Sequence, residues 1–126
     1  MKPALLLDTH IALWWFAADT RLAAAECELI RSSRCHVSLA SLWEIAIKHR
    51  LNKLPVSPQD FLGAIEGAAI RLLPINPPHI LAIGELPLLH GDPFDRLLIA
   101  QSRTESLLLL TADARLAAYG GPIRII

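Results

Sequence analysis

The chain has no run of roughly 18 uninterrupted apolar residues, which argues against a transmembrane helix, although 53% of its residues are hydrophobic. Its longest apolar stretch, from Ala4 to Ala18, is broken by Asp8 and His10. Lys2 is the single charge before that stretch, ahead of Pro3, and no small-residue cleavage site follows a suitable run, so it does not read as a signal peptide. Cysteine is scarce. Cys27 and Cys35 lie in no CxxC pair and in no His/Cys set with zinc spacing, which reads as free thiols in a reducing compartment. A cytoplasmic protein is expected. Aromatic residues make up 6%, so the apolar content is mostly Leu, Ile and Ala, as in a compact helix-rich core and unlike a disordered chain. Neither sign of charge is in excess, with 12 basic and 12 acidic residues, so there is no global pull toward nucleic acid. No serine or cysteine stands in a recognisable nucleophile motif. Repeats, low-complexity tracts and linkers are missing too, and 126 residues make one domain, 1–126.

What is present is an alternation of short apolar runs with helix signals. Ala4–Leu7 reads as a buried strand, and Thr9 as the cap of a helix through Ala17. Asp19-Thr20 reads as the start of an Ala-rich helix through Arg31, and 35–39 as a second strand. Ser41-Leu42-Trp43-Glu44 has the form of a capping box opening a helix to about Leu51. Ser57-Pro58 starts another helix, 71–75 is a third strand, and Pro77-Pro78 open a helix ending near 85–87. Asp92 caps a helix with Pro93 at its first position. Leu107–Leu110 is the clearest strand, followed by a short helix at 114–118 and a last strand at 123–126. Apolar strands alternating with helices predict an α/β fold whose mainly parallel sheet is covered on both faces.

Four acids fall where these apolar runs meet turns or helix starts: Asp8, Glu44, Asp95 and Asp113. Ligands of open parallel sheets bind outside the carboxyl ends of the strands. Asp8 and Asp113 stand at such ends, and Glu44 and Asp95 are expected on first helical turns at the same edge. Clustered carboxylates remain ionised together only beside a cation, and an all-oxygen set favours Mg²⁺ or Mn²⁺ over zinc. Such a cation activates a water and neutralises charge on a phosphoryl oxygen, which is what phosphodiester hydrolysis requires. Each acid also has a simpler reading, as a helix cap or a partner of a helix dipole. Asp92 reads mainly as a cap.

The segments Leu5-Leu6-Leu7-Asp8-Thr9-His10, Ser41-Leu42-Trp43-Glu44-Ile45-Ala46-Ile47-Lys48, His90-Gly91-Asp92-Pro93-Phe94-Asp95-Arg96-Leu97-Leu98-Ile99-Ala100-Gln101 and Leu110-Thr111-Ala112-Asp113 together resemble the PIN-domain nucleases, in particular the VapC-type toxins of bacterial toxin–antitoxin pairs. The resemblance spans nearly the whole chain. It implies a three-layer α/β/α sandwich and an Mg²⁺- or Mn²⁺-dependent endoribonuclease. It matches Asp8, Glu44, Asp95 and Asp113 to the family's acidic quartet, as catalytic and metal-binding residues. Thr111 matches a position where the family often has a small hydroxyl residue near the metal, and Thr9 is a further supporting residue beside Asp8. The resemblance also implies a homodimer and inhibition by a small VapB-like antitoxin protein.

RNA binding calls for cations near the acids. Arg31, Arg34, Lys48, Arg50 and Lys53 give five basic residues against the single acid Glu44 over 31–53. Lys48, Arg50, Lys53 and Arg96 are therefore candidate RNA contacts; the first three equally suit a helix C-terminus, and Arg96 equally suits a carboxylate partner. His79 and His90 read as loop or cap residues. Trp14, Trp15 and Trp43 read as core, with one left for a dimer or antitoxin contact. Two rivals stand beside the nuclease. A haloacid-dehalogenase-type phosphatase also begins with a strand-terminal Asp, but the chain lacks that family's second Asp, having His10 there. The other is a PIN-like RNA-binding or interaction module without catalysis.

Overall fold

A computed structural model describes residues 3–126. Five strands, β1 (Ala4–Leu7), β2 (Arg34–Ser38), β3 (Arg71–Leu73), β4 (Leu108–Thr111) and β5 (Ile123–Ile125), form one sheet in the order β3-β2-β1-β4-β5. Every pairing is parallel. Helices α1 (Thr9–Phe16), α2 (Ala24–Arg31), α3 (Leu39–Arg50), α4 (Pro58–Gly67), α5 (Pro77–Ile83) and α6 (Pro93–Thr104), with a 3-10 helix at Ala114–Tyr119, make the connections.

Strand periodicity builds the three layers. Side chains alternate across a sheet, so Leu5 and Leu7 of β1 enter a core with Ile11, Ile30, Ile45, Phe61 and Ile65 from α1 to α4. Leu6 faces the other way, into a core with Leu98, Ile99, Leu109 and Leu116. Both cores are closed around unbroken apolar strands, as expected where helices cover both faces of a parallel sheet.

Several helix starts differ from the sequence expectation. Asp8, not Thr9, caps α1, its carboxylate accepting from the Thr9 amide at 2.7 Å. Thr9 is the first helical residue, which turns its hydroxyl inward. Helix α2 begins at Ala24, without a side-chain cap. Asp19 instead opens a separate turn, its carboxylate accepting from the amide and guanidinium of Arg21 and its carbonyl from the Leu22 amide. Ser38, not Ser41, caps α3 by accepting from the Ala40 amide at 3.0 Å. Because β2 runs directly into that cap, Ser41 and Glu44 lie inside the helix and form no capping box. Helix α5 ends at Ile83, short of 85–87. Ser57 and Asp92 cap α4 and α6 as expected, each followed by proline.

The strand order fixes where a site can form. The chain steps from β1 outward to β2 and β3, then returns to lay β4 and β5 on the other side of β1. The connections leave β1 and β4 in opposite directions, which opens a crevice at their carboxyl ends.

Candidate metal centre

Asp8 and Asp113 follow the two strands that flank this crevice, and α3 and α6 bring Glu44 and Asp95 to its walls. A cleft of about 360 Å³ results, lined by Asp8, Glu44, Asp92, Asp95, Asp113, His10, Trp14, Lys48, Ala112 and Arg115. All four acids singled out in the sequence thus reach one cleft, joined by the cap Asp92. Glu44 arrives from the second turn of α3 rather than the first.

Two threonines brace these acids. The Thr111 hydroxyl donates to Asp8 Oδ2 at 2.6 Å and accepts from the Asp113 amide at 3.1 Å, tying the ends of β1 and β4 together. The Thr9 hydroxyl lies 2.7 Å from Glu44 Oε1 and 2.9 Å from Ser41 Oγ. It has one proton, so it donates to the carboxylate and the Ser41 hydroxyl donates to it. Ser41 therefore serves the site rather than a helix start. Every one of these hydroxyls is buried, so each carboxylate is oriented by a partner that water cannot displace.

The electrostatics are those of a crowded negative site. Burial pushes the Asp8 carboxyl above its usual range, against hydrogen bonds from Thr111 and Thr9 that favour the charged form. Burial likewise raises Asp95 to about 6, with the charges of Asp8 and Asp92 adding to it and the His90 hydrogen bond opposing. Lys48 and Arg115 supply counter-charge. Lys48 Nζ sits 2.7 Å from Glu44 Oε2, and that hydrogen bond raises the lysine. Arg115 grips Asp113 through both oxygens, at 3.0 and 2.7 Å, holding that carboxyl below its usual range. Two acids pushed up by burial, beside oxygen ligands from four segments, are a donor set suited to a hard divalent cation. Among the described residues, the set of ligand atoms that already stands together is not the quartet. It is His90, Asp95 and Asp113, whose donor atoms lie within 4.8 Å of one another.

Of the basic residues, Lys48 alone among the four candidates lines the cleft. Arg50 is two residues beyond Lys48, so it points about 200° around the helix from it. Lys53 closes the helix end: Asn52 takes a left-handed φ of 58° and the Lys53 amide donates to Lys48 O at 2.8 Å. Both side chains are exposed. Arg96 pairs with no carboxylate among the described residues. It is buried, and its guanidinium donates to Pro87 O, Ile83 O and Tyr119 Oη at 3.0–3.3 Å. It fastens the 84–92 loop to α6. Arg31 and Arg34 lie elsewhere, with Arg71 and His36 around a cavity of about 450 Å³ lined by no acid among the described residues. Arg34 and Arg71 begin β2 and β3, so this basic cavity marks the amino edge of the sheet, opposite the acids.

Sequence reasoning missed three neighbours of the site. His90 reads locally as a loop residue, yet its Nε2 lies 2.8 Å from Asp95 Oδ2. The spacing His90-x-x-x-x-Asp95 across a capped helix start was the available signal. Arg115 gave none beyond its place two residues after Asp113. Trp43 was expected in the core but is exposed, its ring edge-on to Phe94 at 5.1 Å. Trp14 and Trp15 are half-buried.

Residues 5–122 match the model of the PIN domain. The chain is 30% identical over 121 residues to a protein of Mycobacterium tuberculosis named Ribonuclease VapC22, covering 93% of this chain and 92% of that one. Its fold is that of a chain in DNA-bound VapBC from Salmonella typhimurium, with a TM-score of 0.68, 17% identity, and 100% and 98% of the two chains covered. A chain of VapBC2 from Rickettsia felis, bound to a promoter DNA fragment, gives a TM-score of 0.68 at 16% identity, over 96% and 97%. A toxin–antitoxin complex from Klebsiella pneumoniae gives 0.68 at 14% identity, over 96% of each chain.

Proposed function

From the premise that the chain belongs to the PIN-domain family and is a homologue of the VapC ribonucleases, we propose that it is a metal-dependent endoribonuclease, the toxin of a toxin–antitoxin pair, acting in the cytoplasm with the acidic cleft as its active site. The observation that carries this reading is the convergence of five carboxylates from four separate segments on the crevice between β1 and β4. Asp8, Glu44, Asp95 and Asp113 would hold the cation, Mg²⁺ or Mn²⁺. When bound, it acidifies a water and neutralises charge on the scissile phosphate. The chain's own groups do the rest. Thr111 fixes the Asp8 and Asp113 ends relative to each other, and Thr9 with Ser41 fixes Glu44. Lys48, half-buried at the cleft wall, is placed to take a phosphate oxygen of the RNA.

A toxin of this kind requires an antitoxin and, by the resemblance, a second copy of itself. Two apolar surfaces remain open for them among the described residues. One is a groove lined by Leu39, Leu42, Trp43, Ala46, Pro58 and Leu62 between α3 and α4. The other carries the exposed Ile80, Leu81, Leu88 and Leu89. Apolar area of this kind marks interaction surfaces. No helix of the described residues is long and apolar enough to cross a membrane.

The test is cleavage of single-stranded RNA by the purified chain freed of partner. Cleavage is expected with Mg²⁺ or Mn²⁺ and none with chelator. Asp8→Asn and Asp95→Asn are expected to abolish it while circular dichroism stays unchanged. Undiminished cleavage by both variants sinks the proposed site.

A further inference from the structure

Resting on that reading of the cleft, we propose that His90 supplies an imidazole nitrogen to the bound cation. The centre formed with Asp95 and Asp113 is then a mixed nitrogen–oxygen site that prefers Mn²⁺ to Mg²⁺. An ion pair between His90 and Asp95 needs only two groups. Here a third donor, Asp113, comes from the turn after β4, and the three ligand atoms lie within 4.8 Å of one another. Ligands of a divalent cation at ~2.1 Å stand as far as ~4.2 Å apart, so small side-chain shifts close the set. Asp113 is otherwise held by Arg115, whose side chain is 70% exposed and can swing into solvent at little cost.

His90 is placed for this by the fold. Its side chain is 10% exposed, and its Nε2 faces Asp95 Oδ2 at 2.8 Å. Its backbone carbonyl accepts from Tyr119 Oη at 3.4 Å, and the preceding residues hang on the buried Arg96 guanidinium. To serve as a ligand, Nε2 would have to be free of its proton, released to solvent, with the ring proton on Nδ1. The remaining histidines are engaged or aimed elsewhere. His36 contacts Leu5 O, His49 contacts Leu54 O, and His79 is buried against Glu105. His10 lines the cleft but is exposed, its ring tilted toward Trp14. Imidazole nitrogen raises affinity for the transition ion far more than for Mg²⁺, which demands oxygen.

The experiment is pulsed electron paramagnetic resonance of Mn²⁺ added alone to the full chain, reading ¹⁴N modulation from a coordinated ring. Modulation is expected in the wild type and in His10→Gln, and is expected to vanish in His90→Gln with Mn²⁺ still bound. Mn²⁺ affinity should then fall about tenfold, with Mg²⁺ affinity changed much less. Bound Mn²⁺ without ¹⁴N modulation in the wild type, or modulation that survives His90→Gln, overturns the proposal and leaves the carboxylate site standing. Mn²⁺ binding indifferent to Asp8→Asn and Asp95→Asn overturns the reading of the cleft itself. If His90→Gln does not fold, ¹⁵N-histidine labelling of His10→Gln decides instead: a ¹⁵N coupling supports the proposal and its absence overturns it.

Discussion

The two edges of the sheet carry opposite charge and are built by different means. At the carboxyl edge, five acids line one cleft, each tied into hydrogen bonds that cross between elements or cap a helix. At the amino edge, Arg31, Arg34, Arg71 and His36 surround a cavity whose arginines are exposed, and Arg34 and Arg71 have no side-chain partner among the described residues. A net charge of zero therefore conceals a polarised molecule. The acidic edge is costly to assemble and is braced accordingly. The basic edge stays in water, where like charges at a surface cost little. Function is expected where the fold holds charges together against repulsion, not where it lets them disperse.

The largest effect expected is on catalysis. Asp95→Asn should lower RNA cleavage at least 100-fold, whereas Arg34→Ala with Arg71→Ala should leave it within a few-fold. Comparable loss from both changes, measured as initial rates on one RNA, breaks the contrast between the edges. Next is the brace. Arg96→Ala strips hydrogen bonds from several loop carbonyls and should destabilise the protein by about 2–4 kcal/mol. Arg71→Ala should fall within about 0.5 kcal/mol of the wild type, with urea unfolding as the measurement.

A third test sharpens the comparison through pH. Asp95 has its folded-state pKa raised to about 6 from 3.8. The folded cation-free protein thus holds a proton there that the unfolded chain has released between about pH 4 and 6. Its contribution is fully present below about pH 4 and lost as pH rises through 6. That favours the acid side by on the order of 3 kcal/mol. Melts in chelator should show a higher midpoint at pH 5 than at pH 7.5, and Asp95→Asn should flatten the difference. Mn²⁺ at pH 7.5 should restore stability. The smallest effect concerns Lys48. Lys48→Ala should raise the KM for RNA several-fold and lower the salt slope of binding by about one, while Arg50→Ala and Lys53→Ala change neither.

Much of this arrangement was legible in the chain, for a physical reason. The unbroken apolar runs 4–7 and 107–110 can be buried on both sides only inside a parallel sheet, and this places Asp8 and Asp113 at strand ends. Asp92-Pro93 before an apolar periodic run suits a cap and first turn, so the place of Asp95 follows from local chemistry. Ser38 and Ser41 show the limit. Both are hydroxyl residues near the same helix start, and only the length of β2, set by pairing with β1, chooses between them. The roles of His90, Arg96 and Arg115 depend on which loop meets which helix. Beyond the spacing of His90 to Asp95, their neighbours in sequence carry little trace of that, and so a buried clamp was read as a phosphate contact or carboxylate partner and a candidate ligand as a loop or cap residue.

The bond from Thr111 to Asp8 joins residues 103 apart in the chain. During synthesis the first acid of the cleft emerges early and waits for β4, since Asp8's own amide also needs Leu110 O. A nascent chain lacking β4 thus carries scattered carboxylates and no assembled cleft. By the proposed function, each copy acquires the means to cut RNA only once β4 has been made and has paired beside β1, and the ribosome that makes it handles an inert protein until then.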